Sequence, residues 1–201
     1  MGRRVNWLRA VLISVPVSVT VVLLAPYAVA VFEKPQGLQV GTPPPIGGIN
    51  PTPFFAPGID RPQVVAAKVA GLADDDDVIG VVVNGRPRAY RVKAFTGMSR
   101  HVVNDLIDDV PVTVTYCDLA DCAQAFTSST RGDTLDICTG GLNGNLMLRT
   151  SGHNYFWQNT GKCTAPDHAD ESPFPMYPFE RVPWKVWHAT YPGTDVYVGG
   201  D

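Results

Sequence analysis

Cys117 and Cys122 bracket four residues, Asp118-Leu119-Ala120-Asp121. This spacing is not the two-residue gap of a thioredoxin-type dithiol, and no histidine follows Cys122 as haem attachment requires. Thiolate, imidazole and thioether are the ligands that a soft ion such as copper accepts. His101 precedes the strand that leads into Cys117, Met98 lies three residues before His101, and Met147 falls on a later strand. The candidate metal ligands are therefore His101, Cys117, Cys122 and Met147, with copper as the ion they suit and thiol redox work as the other chemistry open to the cysteines. The cupredoxin order, with one cysteine, one histidine and one methionine close together near the C-terminus, is absent. A structural zinc site wants four protein ligands of the cysteine and histidine type. Asp105, four residues after His101, could orient its imidazole as carboxylates do behind metal-bound histidines. Alternatively, Asn104 and Asp105 bond the backbone in a tight connection.

Other residues invite chemistry less specifically. Cys163 and His168 are five apart with Asp167 adjacent, and a cysteine nucleophile needs a histidine within hydrogen-bond reach and a group to orient it. That makes a Cys-His hydrolase a third, weaker reading. His153 and His188 sit beside aromatic residues and read as packed or surface histidines. The acidic run at 74–77 lacks the alternating ligands and final glutamate of a calcium loop, and reads as a solvated turn. Residues 140–145, rich in glycine and asparagine, fail both the Walker and the dinucleotide fingerprints and read as turn chemistry. Outside the cytoplasm, four cysteines favour disulfides, with three pairings open.

The elements that must position these residues read as β. Residues 78–83 are an apolar run, Asn84-Gly85 is a type I′ turn signal, and residues 86–92 return as a partner strand. Pro87 marks that partner as an edge or an irregular start. Further strands are expected at 111–116, 124–128, 134–138, 146–149 and 155–158. Short helical pieces are expected at 62–72 and at 101–107. Pro173, Pro175, Pro178 and Pro183 alternate with Tyr177, Phe179, Trp184 and Trp187, which suggests an irregular aromatic wrap at the C-terminus. The fold class is mainly β, or α+β with little helix, as a single compact domain.

The N-terminus sets the location. Arg3, Arg4 and Arg9 precede a charge-free stretch at 10–32, long enough to span a bilayer as a helix. Arginines on that side keep the N-terminus cytoplasmic and send the rest across. Ala28-Val29-Ala30 is a small-x-small triplet of the kind signal peptidase cuts, although the apolar core is longer than a cleaved signal needs. Residues 1–32 thus form a membrane anchor or signal segment, 33–62 a Pro/Gly-rich tether or packed arm, and 63–201 the extracytoplasmic domain. The chain carries a net charge of −3; without the three leading arginines, 13 basic and 19 acidic residues leave −6. An acidic domain excludes nucleic acid as a partner class.

Several stretches, taken in order, resemble the uncharacterised bacterial DUF3179 family. They are Val78-Ile79-Gly80-Val81 with Arg88-Ala89-Tyr90, His101-Val102-Val103-Asn104-Asp105, and the strand from Pro111 to Cys117. Asn145-Leu146-Met147-Leu148, Phe156-Trp157-Gln158-Asn159-Thr160-Gly161, Trp184-Lys185-Val186-Trp187 and Tyr191-Pro192-Gly193-Thr194 continue the series. The resemblance covers roughly residues 74–201. Many members of that family carry a Cys-Pro-Leu-Cys pair at this point. Here Cys117 matches the first cysteine and the second stands two residues later, so Cys-x-x-Cys geometry does not carry over. The resemblance implies a domain and no reaction. The leading expectation is a membrane-attached periplasmic domain, bound to the lipid bilayer through its N-terminal helix, that binds a protein partner or supports an envelope assembly without catalysis. The alternative is a copper-binding or thiol-redox domain centred on Cys117 and Cys122.

Overall fold

The hairpin expected at Asn84-Gly85 forms. Both turn residues have positive φ, 49° and 79°, as a type I′ turn demands. It joins β4 (Asp77–Val83) to β5 (Arg86–Arg91), paired antiparallel from Val78↔Arg91 to Val83↔Arg86. The computed structural model describes residues 52–97, 99–150, 155–164 and 168–200. The N-terminal hydrophobic segment, residues 33–51 of the tether, Met98, His153 and Asp167 lie outside the described residues. Among the described residues no helix is long and apolar enough to cross a membrane.

The other strands are β1 (Thr52–Ala56), β2 (Ile59–Asp60), β3 (Val65–Ala66), β6 (Val102–Ile107), β7 (Val110–Cys117), β8 (Cys122–Thr127), β9 (Ile137–Asn143), β10 (Asn145–Thr150), β11 (Tyr155–Trp157), β12 (Glu180–Pro183) and β13 (Asp195–Tyr197). The one α-helix among the described residues is the short α1 (Trp184–Thr190). They build three sheets, in the orders β1-β9-β10-β11, β2-β6-β7-β8 and β12-β4-β5-β13-β3. Together they form a single compact domain dominated by β-strands.

The β2-β6-β7-β8 sheet lies between the other two, and the alternation of its side chains shows this. Val103, Val112, Val114 and Tyr116 pack with Ile79, Val81, Tyr90 and Phe95 on one side. Val102, Cys117 and Phe126 pack with Ile137, Leu146, Leu148 and Phe156 on the other. A strand buried on both faces loses the polar-apolar alternation that would announce it. On the outer face of the five-stranded sheet, α1 sets Trp184 and Trp187 against Val78, Ala89 and Val196. Gly80 is required there, because a Cβ at that position would collide with the Trp187 ring.

Four local expectations are corrected. Residues 101–107 are not a helical turn: β6 is an extended strand flanked by β2 and β7. Its polar residues serve different layers. Asn104 donates from Nδ2 to the Ile137 carbonyl at 2.8 Å and accepts from Thr113 Oγ1 at 2.7 Å, tying the middle sheet to β9. Residues 62–72 yield only β3 and a three-residue 3₁₀ turn, Ala67–Val69, because Val65 is paired with β13. The glycine-rich stretch is mostly strand: β9 runs through Gly140 and Gly141, and the turn falls at Gly144, with φ 69°. Gly140 leaves room for the Tyr155 ring.

The acidic run at 74–77 is also less solvated than expected, since Asp76 is buried. It accepts from Lys93 Nζ at 2.7 Å, Arg91 Nη2 at 3.0 Å and the Ala73 amide at 3.1 Å. The Lys93 hydrogen bond leads in holding its carboxyl below the usual carboxylate range, against the opposing effect of burial. A carboxyl depressed on folding stabilises fully above its unfolded value of about 3.9, and that stability is lost as pH falls through the lower folded value. Asp76→Asn is expected to cost about 2 kcal/mol at pH 7, typical for hydrogen bonds to charged groups. The cost should shrink once the pH is brought below the lowered folded value, where Asp76 is protonated in both states. Urea unfolding of both proteins at pH 7 and at a series of acid pH values measures it, and a gap that stays constant as the pH falls would overturn the assignment.

Candidate metal centre

Antiparallel pairing of β6 with β7 brings His101 alongside the end of β7. Val102 is opposite Thr115, and the Tyr116 amide donates to the His101 carbonyl at 3.0 Å. Cys117 and Asp118 follow at once. His101 Nε2 lies 3.0 Å from Asp118 Oδ1. A carboxylate only accepts, so the imidazole donates from Nε2. Asp118 Oδ2 accepts from the Gly97 amide at 3.4 Å. The hydrogen bond from His101 is the main reason that the Asp118 carboxyl is held below the usual range. One ligand atom each from His101, Cys117 and Asp118 lie within 4.8 Å of one another. His101 and Cys117 are buried, while the Asp118 side chain is one-third exposed. The group thus opens to solvent on its carboxylate side.

The loop carrying Asp118 is pinned at its far end. Asp121, at positive φ, accepts from the Tyr116 hydroxyl and from Arg181 Nη1, both at 2.8 Å. Arg181 also lies over the Tyr116 ring, 5.3 Å from its centroid, and pairs with Asp77 at 3.1 Å. Burial, reinforced by Asp121, pushes the Tyr116 phenol up to about 12, so it remains a donor.

An imidazole nitrogen, a thiolate sulfur and a carboxylate oxygen form a mixed donor set that zinc accepts, with bonds of about 2.0–2.3 Å. Such bonds place the donors about 3–4 Å apart. Closing the group on an ion requires side-chain rotation but no rearrangement of the strands.

The chain matches, over residues 56–198, a family described as a protein of unknown function, DUF3179. It belongs to that family. The match extends the sequence resemblance back to Ala56, at the end of β1. No curated protein and no solved structure matches the chain.

In this DUF3179 domain, two of the four expected ligands come together, His101 and Cys117. Cys122 stands across the hairpin from Cys117, but its thiol donates to Gln158 Oε1 at 3.0 Å. Met147 lies on β10 between Leu146 and Leu148, whose side chains pack in the Cys117 cluster while Met147 does not. Asp118 and Gln158 were missed. Asp118 directly follows Cys117, and a carboxylate beside the first cysteine was the available signal. Gln158 stood in the family-like segment at 156–161, but nothing there pointed to a sulfur partner.

Asp105 does not orient His101. Four residues along a strand span about 13 Å, whereas in a helical turn they would be neighbours. Asp105 instead faces Arg88 and Tyr90, hydrogen-bonded to both.

The disulfide expectation is overturned. All four cysteines are unbridged, and no pair lies at bonding distance. Cys122 has turned its sulfur to Gln158, and Cys138 donates to the Arg149 carbonyl at 3.3 Å. The Cys-His hydrolase finds no support either. Among the described residues, His168 Nδ1 contacts Glu171 at 2.8 Å, and Cys163 and His168 share no hydrogen bond. Burial and Glu171 push the Cys163 thiol up, the opposite of what a nucleophile needs.

Burial, with Cys117 and Asp121 adding to it, pushes the Cys122 thiol up to about 11. At neutral pH almost none is thiolate. Iodoacetamide should therefore label Cys122 roughly one to two orders of magnitude more slowly than a small thiol, with a rate rising about tenfold per pH unit from pH 7 to 9. Peptide mapping by mass spectrometry reads this, and a plateau below pH 9 contradicts it.

Proposed function

We propose that this domain binds one zinc-class transition-metal ion through His101 Nε2, Cys117 Sγ and Asp118. The reading rests on one observation: the three donors converge at the open end of the β6–β7 hairpin. In the present geometry a proton bridges His101 Nε2 and Asp118 Oδ1. The ion would replace that proton and gain the Cys117 sulfur. Three protein ligands leave a fourth position for water or an outside ligand, as in catalytic rather than structural zinc sites.

The donor set favours zinc over copper(I). Copper(I) prefers sulfur and imidazole, and a carboxylate is a poor ligand for it. Copper would need Cys122 and Met147 as well, and neither is in the group. With residues 1–32 as anchor or signal, the ion would be held outside the cytoplasm, and with them as a retained anchor, near the membrane surface.

Elemental analysis of the full-length chain tests the reading. About one zinc per chain is expected after zinc loading and desalting, and less than about a tenth of that in a His101→Ala variant. Retention of zinc by that variant would place the ion elsewhere. Preferential retention of copper under reducing competition would reverse the choice of metal.

A further inference from the structure

Cys122 is directly opposite Cys117 where β7 and β8 pair. Residues so placed project from the same face, with Cβ atoms about 4.5–5.5 Å apart. Two thiolates on one tetrahedral ion lie about 3.8 Å apart, given metal–sulfur bonds of about 2.3 Å. The hairpin could thus set both sulfurs on one ion without moving its backbone. The Cys122 sulfur is held back from this by Gln158.

Gln158 is fully buried. Its Oε1 accepts the Cys122 thiol at 3.0 Å. Its Nε2 donates to Thr115 Oγ1 at 3.0 Å and to the Cys122 carbonyl at 3.1 Å. Its backbone amide donates to the Leu146 carbonyl at 3.0 Å. The side-chain amide therefore cannot flip without losing partners, and its oxygen is fixed toward the thiol. Thr115 is itself bonded onward to the Gln124 carbonyl at 3.1 Å.

Building on the metal reading above, we infer that Gln158 is a latch that holds Cys122 as a reserve ligand. With the latch closed, the ion has His101, Cys117 and Asp118 and keeps its fourth position open. When an ion prefers sulfur strongly enough, the Cys122 S–H bond breaks, its proton goes to solvent, a metal–sulfur bond forms, and Gln158 Oε1 gives up its donor. The site then has four protein ligands and no open position. A neutral hydrogen bond of this kind shifts an equilibrium by about threefold to tenfold. That is small enough for a thiophilic ion to overcome and large enough to bias a borderline one. The latch thereby sets which ions leave the site open to an outside ligand and which are sealed in.

Cadmium(II), a sulfur-seeking probe, tests this on the full-length chain under a non-thiol reductant. The measurement is the thiolate-to-cadmium absorbance per bound ion, which scales with the number of sulfur ligands. The wild type is expected to show about twice the absorbance of Cys122→Ala. Equal absorbance in the two, with cadmium bound in both, overturns the latch and leaves the three-donor site standing. No cadmium bound by the wild type, or no fall in absorbance in Cys117→Ala, removes the metal reading itself. Cys122 is half-buried and alanine is smaller, so this comparison does not depend on a risky fold. Gln158→Leu is the complementary variant. If folded, it should bind cadmium about threefold to tenfold more tightly. Unchanged or weaker binding by the folded variant also overturns the latch.

Discussion

Cys117→Ser is expected to lower zinc affinity by more than about a hundredfold. Loss of a partner that merely orients a ligand costs about 10–100-fold, and loss of a thiolate ligand exceeds that. Serine keeps nearly the size of cysteine at this buried position. The fold should therefore survive and the loss can be read as a loss of ligation. Asp118→Asn should be milder, roughly tenfold to a hundredfold, because the amide oxygen still points at the ion but brings no charge. His101→Ala should resemble Cys117→Ser, since it removes the donor whose Nε2 now contacts Asp118 at 3.0 Å. Competition against a chromophoric chelator gives the three affinities on one scale. The ordering is the test: Cys117→Ser binding as tightly as wild type would remove the thiolate from the site. Asp118→Asn weaker than Cys117→Ser would make the carboxylate the principal ligand.

Much of the fold was legible because strands with one clear signal announce themselves. Val78, Ile79, Val81 and Val83 followed by Asn84-Gly85 specify a hairpin by local chemistry alone. β6 did not announce itself. It is buried on both faces, and its Asn104 and Asp105 look like turn residues until their partners Ile137, Thr113, Arg88 and Tyr90 are known. That misreading carried into the site. Taken as a turn, 101–105 puts Asp105 beside His101; taken as a strand, it sends Asp105 into the next layer. The two expected ligands that the structure brings together, His101 and Cys117, are distinctive residue types at the ends of paired strands. Asp118 was hidden among four other aspartates from residue 105 to residue 121, at 105, 108, 109 and 121. Its place directly after Cys117 was the one sequence signal, and register, which is a property of pairing and not of composition, is what brings it to His101. The disulfide expectation failed for a related reason: cysteine count reports compartment, whereas sulfur partners such as Gln158 are set by tertiary contact.

The same register explains the largest expected loss of stability, from Asp105→Ala. Asp105 Oδ2 accepts from Arg88 Nη1 at 2.6 Å and from the Tyr90 hydroxyl at 2.7 Å, and Oδ1 accepts from the Leu106 amide at 2.7 Å. Arg88, Tyr90 and Asp105 are all buried. Arg88 has a second carboxylate, Asp195, at 3.6 Å, but that side chain is 42% exposed and so is a poorer partner. Arg88 Nε has no hydrogen-bond partner among the described residues, which leaves its charge more dependent on Asp105. Removing one member of a buried pair strands the other, at a cost of about 3–5 kcal/mol. For a domain of this size that is a large share of a total of about 5–15 kcal/mol. The melting temperature should fall by roughly 10–20 °C. Asp105→Asn should be nearly as damaging, because an amide can accept from Tyr90 but cannot neutralise Arg88. The double variant Arg88→Met/Asp105→Leu discriminates between causes. If stranded charge is the source of the loss, replacing both members by apolar residues recovers the share due to Arg88, leaving the Tyr90 hydroxyl, at about 1–3 kcal/mol, and the part-buried Leu106 amide without their acceptor. If shape is the source, the double variant is at least as unstable as Asp105→Ala. Urea unfolding of the four proteins decides between them, and a loss below about 1 kcal/mol for Asp105→Ala would mean that water reaches Arg88 and the network is not buried in solution.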